Sequence, residues 1–574
     1  MKTTTDPRKA FPRRFLPAEA DMGRWEEIEA IGTQLADRRV DSPEALERWL
    51  EDRSEAASAI WEERNRRYIA MTSQTDDPER ERAYLSFVQE IEPKVKTLFH
   101  RLDEAYLASV HRAALPARYR LLDRRVENRV ALFRDENIPL QVKETELETE
   151  FQKVAGAMTV HYKGEERTLP QMAKFLEEPE RAVRQETWEL VARRRLQDKE
   201  TLEELFDHLS AVRLQIAANA GLWSYRDYVF RAYERFDYGP EDCWRFHDAV
   251  EAHFVPLAER LTQERATVLG VDPLRPWDLD VDPHNRPPLR PFEQTAELLD
   301  HSEAIFRRVD PELGEQFAFM REQGLLDLES RKGKAPGGYQ ADLTERRWPF
   351  IFMNAVGLDK DIRTLLHEGG HAFNAIAARE EPLAEYRHPP MEFAEVASMG
   401  MELLSAPHLG AFYPNPTDYR RAYRERLEGI IRLFPWIATV DAFQHWLYAH
   451  PGHTREERRA AWVETYTRFH RGVDYSGYDE ELAYMWHRQL HIFLHPFYYI
   501  EYGLAELGAL QVWLRSRTDY ADAVTRYREA LALGGTQPLP ALFEAAGARF
   551  TFDDSTVGPL ARALALEVAK TPYA

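Results

Sequence analysis

Two histidines four positions apart, with a glutamate between them, are the residues best suited to chemistry. The chain has His367-Glu368-Gly369-Gly370-His371. On a helix, residues i and i+4 share one face, so both imidazoles can bind one metal ion. Glu368 then lies beside them, where a carboxylate can activate a water molecule on that ion. The pattern predicts a metal-dependent hydrolytic site.

The surrounding sequence predicts a helix over residues 359–379. Asp359 is suited to the N-cap, and no proline follows until Pro382. At about 100° per residue, five apolar side chains form one stripe opposite the two histidines. They are Ile362, Leu365, Leu366, Phe373 and Ile376. One face of the helix is therefore expected to pack and the other to present the metal-binding residues.

Gly369 and Gly370 are unfavourable in a helix, each by about 1 kcal/mol relative to alanine. Either the pair ends the helix, or a neighbouring backbone comes so close that no side chain fits. A strand or a bound peptide could be that neighbour. Because the apolar periodicity continues through Phe373 and Ile376, we favour the close approach.

A catalytic zinc site needs a third protein ligand and one open position. Residues 391–405 predict a helix that is apolar on nearly every side but carries Glu392, Glu395 and Glu402 in one row. A buried carboxylate needs a cationic partner or loses its charge. This helix is therefore the expected source of the third ligand, and a solvated acidic face is the alternative.

Four segments in this order resemble the zinc metallopeptidases of the oligoendopeptidase F and thimet oligopeptidase family, most closely oligoendopeptidase F. They lie between positions 332 and 503 and read KGKAPGGYQADLTERRWPFIFMN, LLHEGGHAFNA, FAEVASMGME and WHRQLHIFLHPFYYIEYG. A weaker resemblance covers residues 154–228. The resemblance implies a mainly α, zincin-type fold with a small β-sheet near the active site. It also implies a deep channel between two halves, where short peptides are cleaved.

The same resemblance assigns roles position by position. Glu368 becomes the general base, and Glu402 an outer carboxylate that orients a histidine. Asn374 departs from the family, which often has a histidine there. The ligands implied for one Zn²⁺ per chain are His367, His371 and Glu395.

The last of the four segments is one residue longer than the common family pattern. Two histidines can therefore match the one that assists the transition state. His491 keeps the family distance from Trp486, and we assign it to catalysis. His495 directly precedes the PFY triplet and is the alternative; we assign it to substrate binding.

Three tyrosines follow these histidines. Tyr498 and Tyr502 are four apart, so on a helix they would share a face and offer two phenolic donors to an oxyanion. Tyr499 could replace either, and we otherwise assign it to substrate binding. Without the surrounding motif, these rings would be interpreted as aromatic packing.

The KAPGGYQAD segment is the candidate for substrate binding through Gly337, Gly338 and Tyr339. The two glycines permit an exposed backbone near another chain, and residues 348–353 predict a strand. A peptide could pair its main chain with such an edge. An ordinary surface hairpin is the alternative.

Composition limits the possible partners. The chain has 574 residues, with 76 basic and 97 acidic side chains and a net charge of −21. This charge argues against nucleic acid and against an anionic membrane surface. Cys243 is the only cysteine, and we expect it to be a small buried apolar residue in a reducing compartment. With no secretory signal or membrane-spanning run recognised, we predict a cytoplasmic protein; the oligomeric state is left open.

The sequence predicts three regions. Residues 1–20 form an extended lead-in, residues 21–200 a helical N-terminal domain with a short hairpin near 158–169, and residues 201–574 the catalytic zinc metallopeptidase domain. The predicted function is zinc-dependent endopeptidase activity on oligopeptides. A helical zinc carboxypeptidase and a non-catalytic peptide-binding homologue are the alternatives.

Overall fold

The predicted mainly α fold with small sheets is confirmed by the computed structural model, which describes residues 6–331, 333–335 and 337–572. Lys332 and Pro336 of the substrate segment, and the first five residues of the lead-in, lie outside these ranges. The helices are α1 (Trp25–Ala36), α2 (Pro43–Ser73), α3 (Pro78–Ser86), α4 (Glu92–Ala108), α5 (Arg120–Leu132), α6 (Asn137–Gly156), α7 (Leu169–Met172), α8 (Arg181–Gln197), α9 (Lys199–Asn219), α10 (Tyr225–Ala232), α11 (Pro240–Leu269), α12 (Thr295–Val309), α13 (Pro311–Glu322), α14 (Asp359–Ala377), α15 (Ala384–Arg387), α16 (Met391–Ser405), α17 (Pro416–Ala449), α18 (Arg455–Phe469), α19 (Asp479–Ala483), α20 (Leu490–Leu494), α21 (Ile500–Ser516), α22 (Tyr520–Leu531), α23 (Leu539–Ala545) and α24 (Asp554–Lys570). The strands are β1 (Thr159–Tyr162), β2 (Glu165–Thr168), β3 (Leu326–Glu329), β4 (Tyr339–Leu343) and β5 (Trp348–Ala355).

The chain divides into two compact units, each assembled from three separate segments. Unit 1 comprises residues 1–133, 290–419 and 508–550, and unit 2 comprises residues 134–289, 420–507 and 551–574. The predicted domain boundary after residue 200 falls inside unit 2, so the three-region division stays a prediction. No helix in the described ranges has the length and hydrophobicity that a bilayer crossing requires.

In unit 1, the N-terminal helices pack onto the segment that follows α14. Apolar side chains of α1, α2, α4 and α5 form a core that also includes Leu383 and Tyr386. The Tyr386 hydroxyl donates to the carbonyl of Arg118 at 2.6 Å and accepts from the backbone N–H of Leu122 at 3.0 Å. Because both hydrogen bonds of the hydroxyl are made, the large ring of Tyr386 can be buried without leaving a polar group unpaired.

Unit 1 also contains the sheet of three strands, in the order β3-β5-β4. β5 pairs in parallel with β3 and antiparallel with β4. The strand predicted over residues 348–353 is therefore confirmed, but the expectation that it offers an edge is wrong, because β5 is the central strand. The edge nearest in sequence is β4, which contains part of the predicted substrate segment.

Unit 2 includes the predicted hairpin. β1 and β2 pair antiparallel around Lys163 and Gly164, whose φ angles are 51° and 80°. Positive φ at both central residues is the type I′ geometry that matches the twist of a hairpin. Elsewhere in this unit α11 lies against α17, where the rings of Phe254 and Phe434 stack at 4.0 Å.

Candidate active site

Helix α14 forms where predicted and buries the predicted stripe. Ile362, Leu365 and Leu366 are all at most 1% exposed. The sequence predicted Asp359 as the N-cap, and this is wrong. The helix begins at Asp359, and Leu358 is the N-cap. Asp361 instead satisfies the first turn, because its carboxylate accepts from the backbone N–H of Leu358 at 2.9 Å.

The paired glycines let α14 approach its neighbours closely. A Cβ on Gly370 would lie 2.5 Å from the carbonyl oxygen of Ala397 and 2.6 Å from Cα of Ser398. A Cβ on Gly369 would lie 2.6 Å from Cζ of Phe306. The predicted close approach is therefore confirmed, and the neighbouring backbone is that of helix α16 rather than a strand or a peptide.

This contact brings three predicted side chains together in unit 1. Glu395 Oε2 lies 3.3 Å from Nε2 of His367 and 3.6 Å from Nε2 of His371. One donor atom from each of the three residues lies within 4.8 Å of the other two. The side chains of the histidines remain 23% and 18% exposed, so the group is reachable from solvent.

Glu395 is held as an ionised carboxylate. Burial raises its pKa, but His371, His367 and Ser398 outweigh that effect and lower the pKa to about 2. The Ser398 hydroxyl donates to Oε2 at 3.0 Å. The sequence alone did not predict this contact between Ser398 and Glu395.

Glu402 lies two helical turns beyond Glu395 and contacts the other side of the first histidine. Its Oε1 is 2.9 Å from Nδ1 of His367. A carboxylate at this position favours a proton on Nδ1, so Nε2 is the ring nitrogen that faces Glu395. Glu392, which belongs to the same acidic row, is buried but is not part of the three-residue cluster.

Glu368 lies in an environment that weakens its acidity. Burial is the largest cause that raises its pKa, to about 7, while the neighbouring His367 acts to lower it. The backbone N–H of Gln340 on β4 also acts to lower the pKa of this carboxyl group. The carboxyl group therefore lies close to the sheet edge.

The register of β4 shows which backbone groups face outwards. Asp342 is opposite Pro349, which has no N–H, so this pair cannot be hydrogen-bonded. In an antiparallel ladder the bonded pairs alternate, so the backbone groups of Gln340 and Asp342 point away from β5. The contact of Gln340 with Glu368, and a 2.9 Å bond from Asn65 Nδ2 to the Asp342 carbonyl, agree with this register.

The residues predicted to bind substrate lead into this edge. Gly337 has a φ of 96°, which only glycine adopts readily, and a Cβ on Gly338 would lie 3.3 Å from the Phe352 carbonyl. The Tyr339 ring stacks on Phe352 at 4.7 Å, and its hydroxyl is 2.6 Å from that of Thr72. Tyr339 therefore also anchors β4 to α2.

The predicted histidines and tyrosines of unit 2 gather around His491. Its ring centroid lies 6.0 Å from that of Tyr498, 5.9 Å from Tyr502 and 4.9 Å from Tyr499. The ring of His495 is 6.1 Å from His491. Gln489 Nε2 is 2.7 Å from His491 Nδ1 and fixes the orientation of that ring.

The expectation that Tyr498 and Tyr502 share one helix face is wrong. Helix α21 starts at Ile500, so Tyr498 precedes it. A left-handed turn at Phe497, with φ of 62°, separates α20 from α21. The two tyrosine rings nevertheless lie 5.5 Å apart, because the turn brings Tyr498 back towards the first turn of α21.

Arg235 holds this turn, and sequence reasoning did not identify it. Its guanidinium donates to the Phe497 carbonyl and pairs with Glu501 at 2.7 Å, and both side chains of the pair are fully buried. A bulky residue at positive φ is strained and persists only where its surroundings hold it. No local pattern connects Arg235 to a turn more than 260 positions later.

Asn374, which departs from the family pattern, has a structural contact. Its Nδ2 donates to the carbonyl of Leu531 in α22 at 3.0 Å. The hydroxyl of Tyr527, also in α22, donates to the carbonyl of Ala397 in α16. Helix α22 is therefore hydrogen-bonded to both helices of the site.

The chain is similar to known peptidases in sequence and in fold. The profile described as Peptidase family M3 matches residues 174–560. Oligopeptidase PepF of Bacillus subtilis is 25% identical over 298 residues, which cover 49% of this chain and 42% of the relative. An oligoendopeptidase F homolog of Borreliella burgdorferi is 26% identical over 255 residues, with 42% of each chain covered. The matches thus span less than half the length of these curated relatives.

The similarity extends further in three dimensions. The solved structure of PZ peptidase A with an inhibitor superposes with a TM-score of 0.90 at 29% identity. The superposition covers 97% of this chain and 99% of that one. The fold is therefore shared over nearly the whole chain.

Proposed function

The chain belongs to peptidase family M3, and we propose that it is a zinc-dependent endopeptidase that hydrolyses short peptides, with Glu368 as the general base. The observation that supports this most is the convergence of His367, His371 and Glu395 from two helices. A buried carboxyl group, Glu368, lies next to this cluster and against a strand edge.

The donor set suits zinc. Two imidazole nitrogens and one carboxylate oxygen form a common catalytic zinc set. Zinc bonds of about 2.0–2.2 Å in a tetrahedral arrangement place the donor atoms about 3.3–3.6 Å apart. The two distances from Glu395, 3.3 and 3.6 Å, agree with that spacing. A bound zinc ion would supply Lewis acidity to the attacking water and to the scissile carbonyl.

Two glutamate side chains control the protons of the proposed reaction. Glu368 takes a proton from the attacking water and passes it to the nitrogen of the leaving amine. A pKa near 7 suits both halves of this transfer. Glu402 keeps His367 in the tautomer whose Nε2 is a lone-pair donor.

The oxyanion of the tetrahedral intermediate needs hydrogen-bond donors. We assign this role to His491, Tyr498 and Tyr502, which cluster in unit 2 and offer one ring nitrogen and two phenolic hydroxyls. His495 and Tyr499, at the border of the same cluster, are assigned to substrate contacts.

Substrate binding is assigned to the outer edge of β4 and the preceding Gly337 and Gly338. An extended peptide can pair its main chain with the Gln340 carbonyl and the Asp342 N–H, the outward groups of β4 that Glu368 and Asn65 do not use, and such pairing is largely independent of side chains. This mode suits an enzyme that accepts many short sequences.

The test uses a library of short peptides acetylated at the N-terminus and amidated at the C-terminus. We expect internal cleavage, read by mass spectrometry, that stops with a chelator and returns when zinc is added. Loss of activity on amidation alone would indicate a carboxypeptidase. Peptide binding without cleavage in the zinc-loaded protein would indicate a non-catalytic homologue.

A further inference from the structure

Two pairs of potential metal ligands face each other in unit 2, far in sequence from the site above. Cys243 and His247 are four apart on α11, and Asp441 and His445 are four apart on α17. Each pair therefore projects from one face of its helix. The pairs meet where α11 lies against α17: Nε2 of His247 is 2.8 Å from Oδ2 of Asp441.

Three of these residues bring a donor atom to one point. Cys243 Sγ, an Asp441 carboxylate oxygen and a His445 ring nitrogen lie within 4.8 Å of one another. The three side chains are buried, with relative exposures of 1% for Cys243, 0% for Asp441 and 5% for His445. No peptide could reach such a cluster, so it has no place in hydrolysis.

The cluster leaves polar atoms unsatisfied by the protein. Within the described ranges, Oδ1 of Asp441 and both ring nitrogens of His445 lack a hydrogen-bond partner. The nearest approach, His445 Nε2 to Asp441 Oδ2, is an ion-pair distance of 3.4 Å. A buried polar atom without a partner destabilises the fold, and more so when the group is charged. A bound cation would satisfy a carboxylate oxygen of Asp441 and one ring nitrogen of His445 together.

We propose that Cys243, Asp441 and His445 bind a second divalent ion of the zinc class, in addition to the one ion per chain predicted from sequence. Thiolate, imidazole and carboxylate are the donors that zinc accepts in proteins. A thiolate and a carboxylate together neutralise a doubly charged ion, so the buried site is electrically balanced. His247 donates to Asp441 and orients the coordinating carboxylate.

The aromatic side chains around this cluster indicate that the ion would stabilise the fold rather than take part in catalysis. The ring of Phe497 lies 5.2 Å and that of Phe230 6.2 Å from the ring of His445, and Phe469 lies 6.3 Å from His247. An apolar shell of this kind slows exchange of the ion, whose fourth coordination position would be filled by one trapped water molecule. Phe497 is also the left-handed residue of the turn before α21, so the ion would help hold that turn.

The test uses cobalt as a spectroscopic substitute. Because Cys243 is the only cysteine of the chain, any thiolate-to-cobalt charge-transfer absorption must come from it. We expect this absorption in the cobalt-loaded full-length protein and two zinc ions per chain in the zinc form. Cys243→Ser and His445→Ala should each lower the count from two to one and remove the absorption.

A matched control is His371→Ala, which should also lower the count to one but keep the absorption. The wild-type measurement decides even where a cluster variant does not fold. One zinc per chain without thiolate absorption in a wild-type protein that cleaves peptides would overturn this proposal and leave the proposed activity intact. Two ions in folded Cys243→Ser would overturn it as well.

Discussion

The two clusters of potential metal ligands differ in exposure far more than in chemistry. Each draws on residues four apart on a helix and completes its set from a second helix. His367 and His371 keep 23% and 18% of their side-chain surface open, whereas Asp441 and Cys243 are buried. The histidine cluster also lies beside a carboxyl group that is not one of its ligands, Glu368, and beside a strand edge. The comparison shows that access and an adjacent base distinguish a site for hydrolysis from a site for stability.

The largest expected effect comes from adding a chelator, because the two clusters should lose their metal ions at different rates. The exposed ion should leave first, because its ligands are open to solvent, and peptide hydrolysis should fall to background in that phase. The Cys243 charge-transfer absorption should decay later. Stopped-flow absorbance and activity on the same cobalt-loaded sample measure both. Loss of the two signals in a single phase would contradict the difference in access.

The next effect concerns the base that only the exposed cluster possesses. Glu368→Gln keeps the shape but removes the proton acceptor, so kcat should fall about 10²- to 10⁴-fold. The zinc content should stay unchanged, as measured by atomic absorption. Glu315→Gln, the same change at an exposed position of unit 1, should retain full activity. Near-normal activity in Glu368→Gln would exclude the proposed base.

A smaller effect is expected from Glu402, which contacts the exposed cluster through His367 at 2.9 Å. Glu402→Gln should weaken zinc affinity or activity about 10- to 100-fold, because the histidine loses its charged partner. Chelator competition measures the affinity. The Cys243 absorption should be unaffected, so a change in both sites would instead indicate a general disturbance of the fold.

The smallest effect tests the helix contact that assembles the exposed cluster. In Gly370→Ala the new methyl group would lie 2.5 Å from the Ala397 carbonyl, and we expect a loss of about 1–3 kcal/mol in the free energy of unfolding. Gly410→Ala is the matched control, since its Cβ would meet nothing within 4 Å. Thermal melts of the two variants should differ by about 1–3 °C for a chain of this length, with Gly410→Ala near the wild type.

Local patterns predicted the parts of the fold that depend on few neighbours. The bounds of α16 and the buried stripe of α14 followed from helical periodicity alone. The hairpin at Lys163 and Gly164 followed from its turn residues. The prediction that Tyr498 shares a helix face with Tyr502 failed. Phe497, whose positive φ is held by the distant Arg235, interrupts the helical periodicity before Tyr498.

By itself the sequence determined which residues could be ligands on α14, because a spacing of four on a helix fixes their shared face. Through two glycines, it also favoured a close neighbour of α14 over an end of the helix at that point. Only the tertiary structure decided that α16 fills this place, and it brings Glu395, the ligand that the family resemblance implied, to the histidines. The tertiary structure also brings Cys243 close to Asp441 and His445, which lie about 200 positions later in the chain. Local spacing cannot predict this contact, because helix packing depends on the whole core.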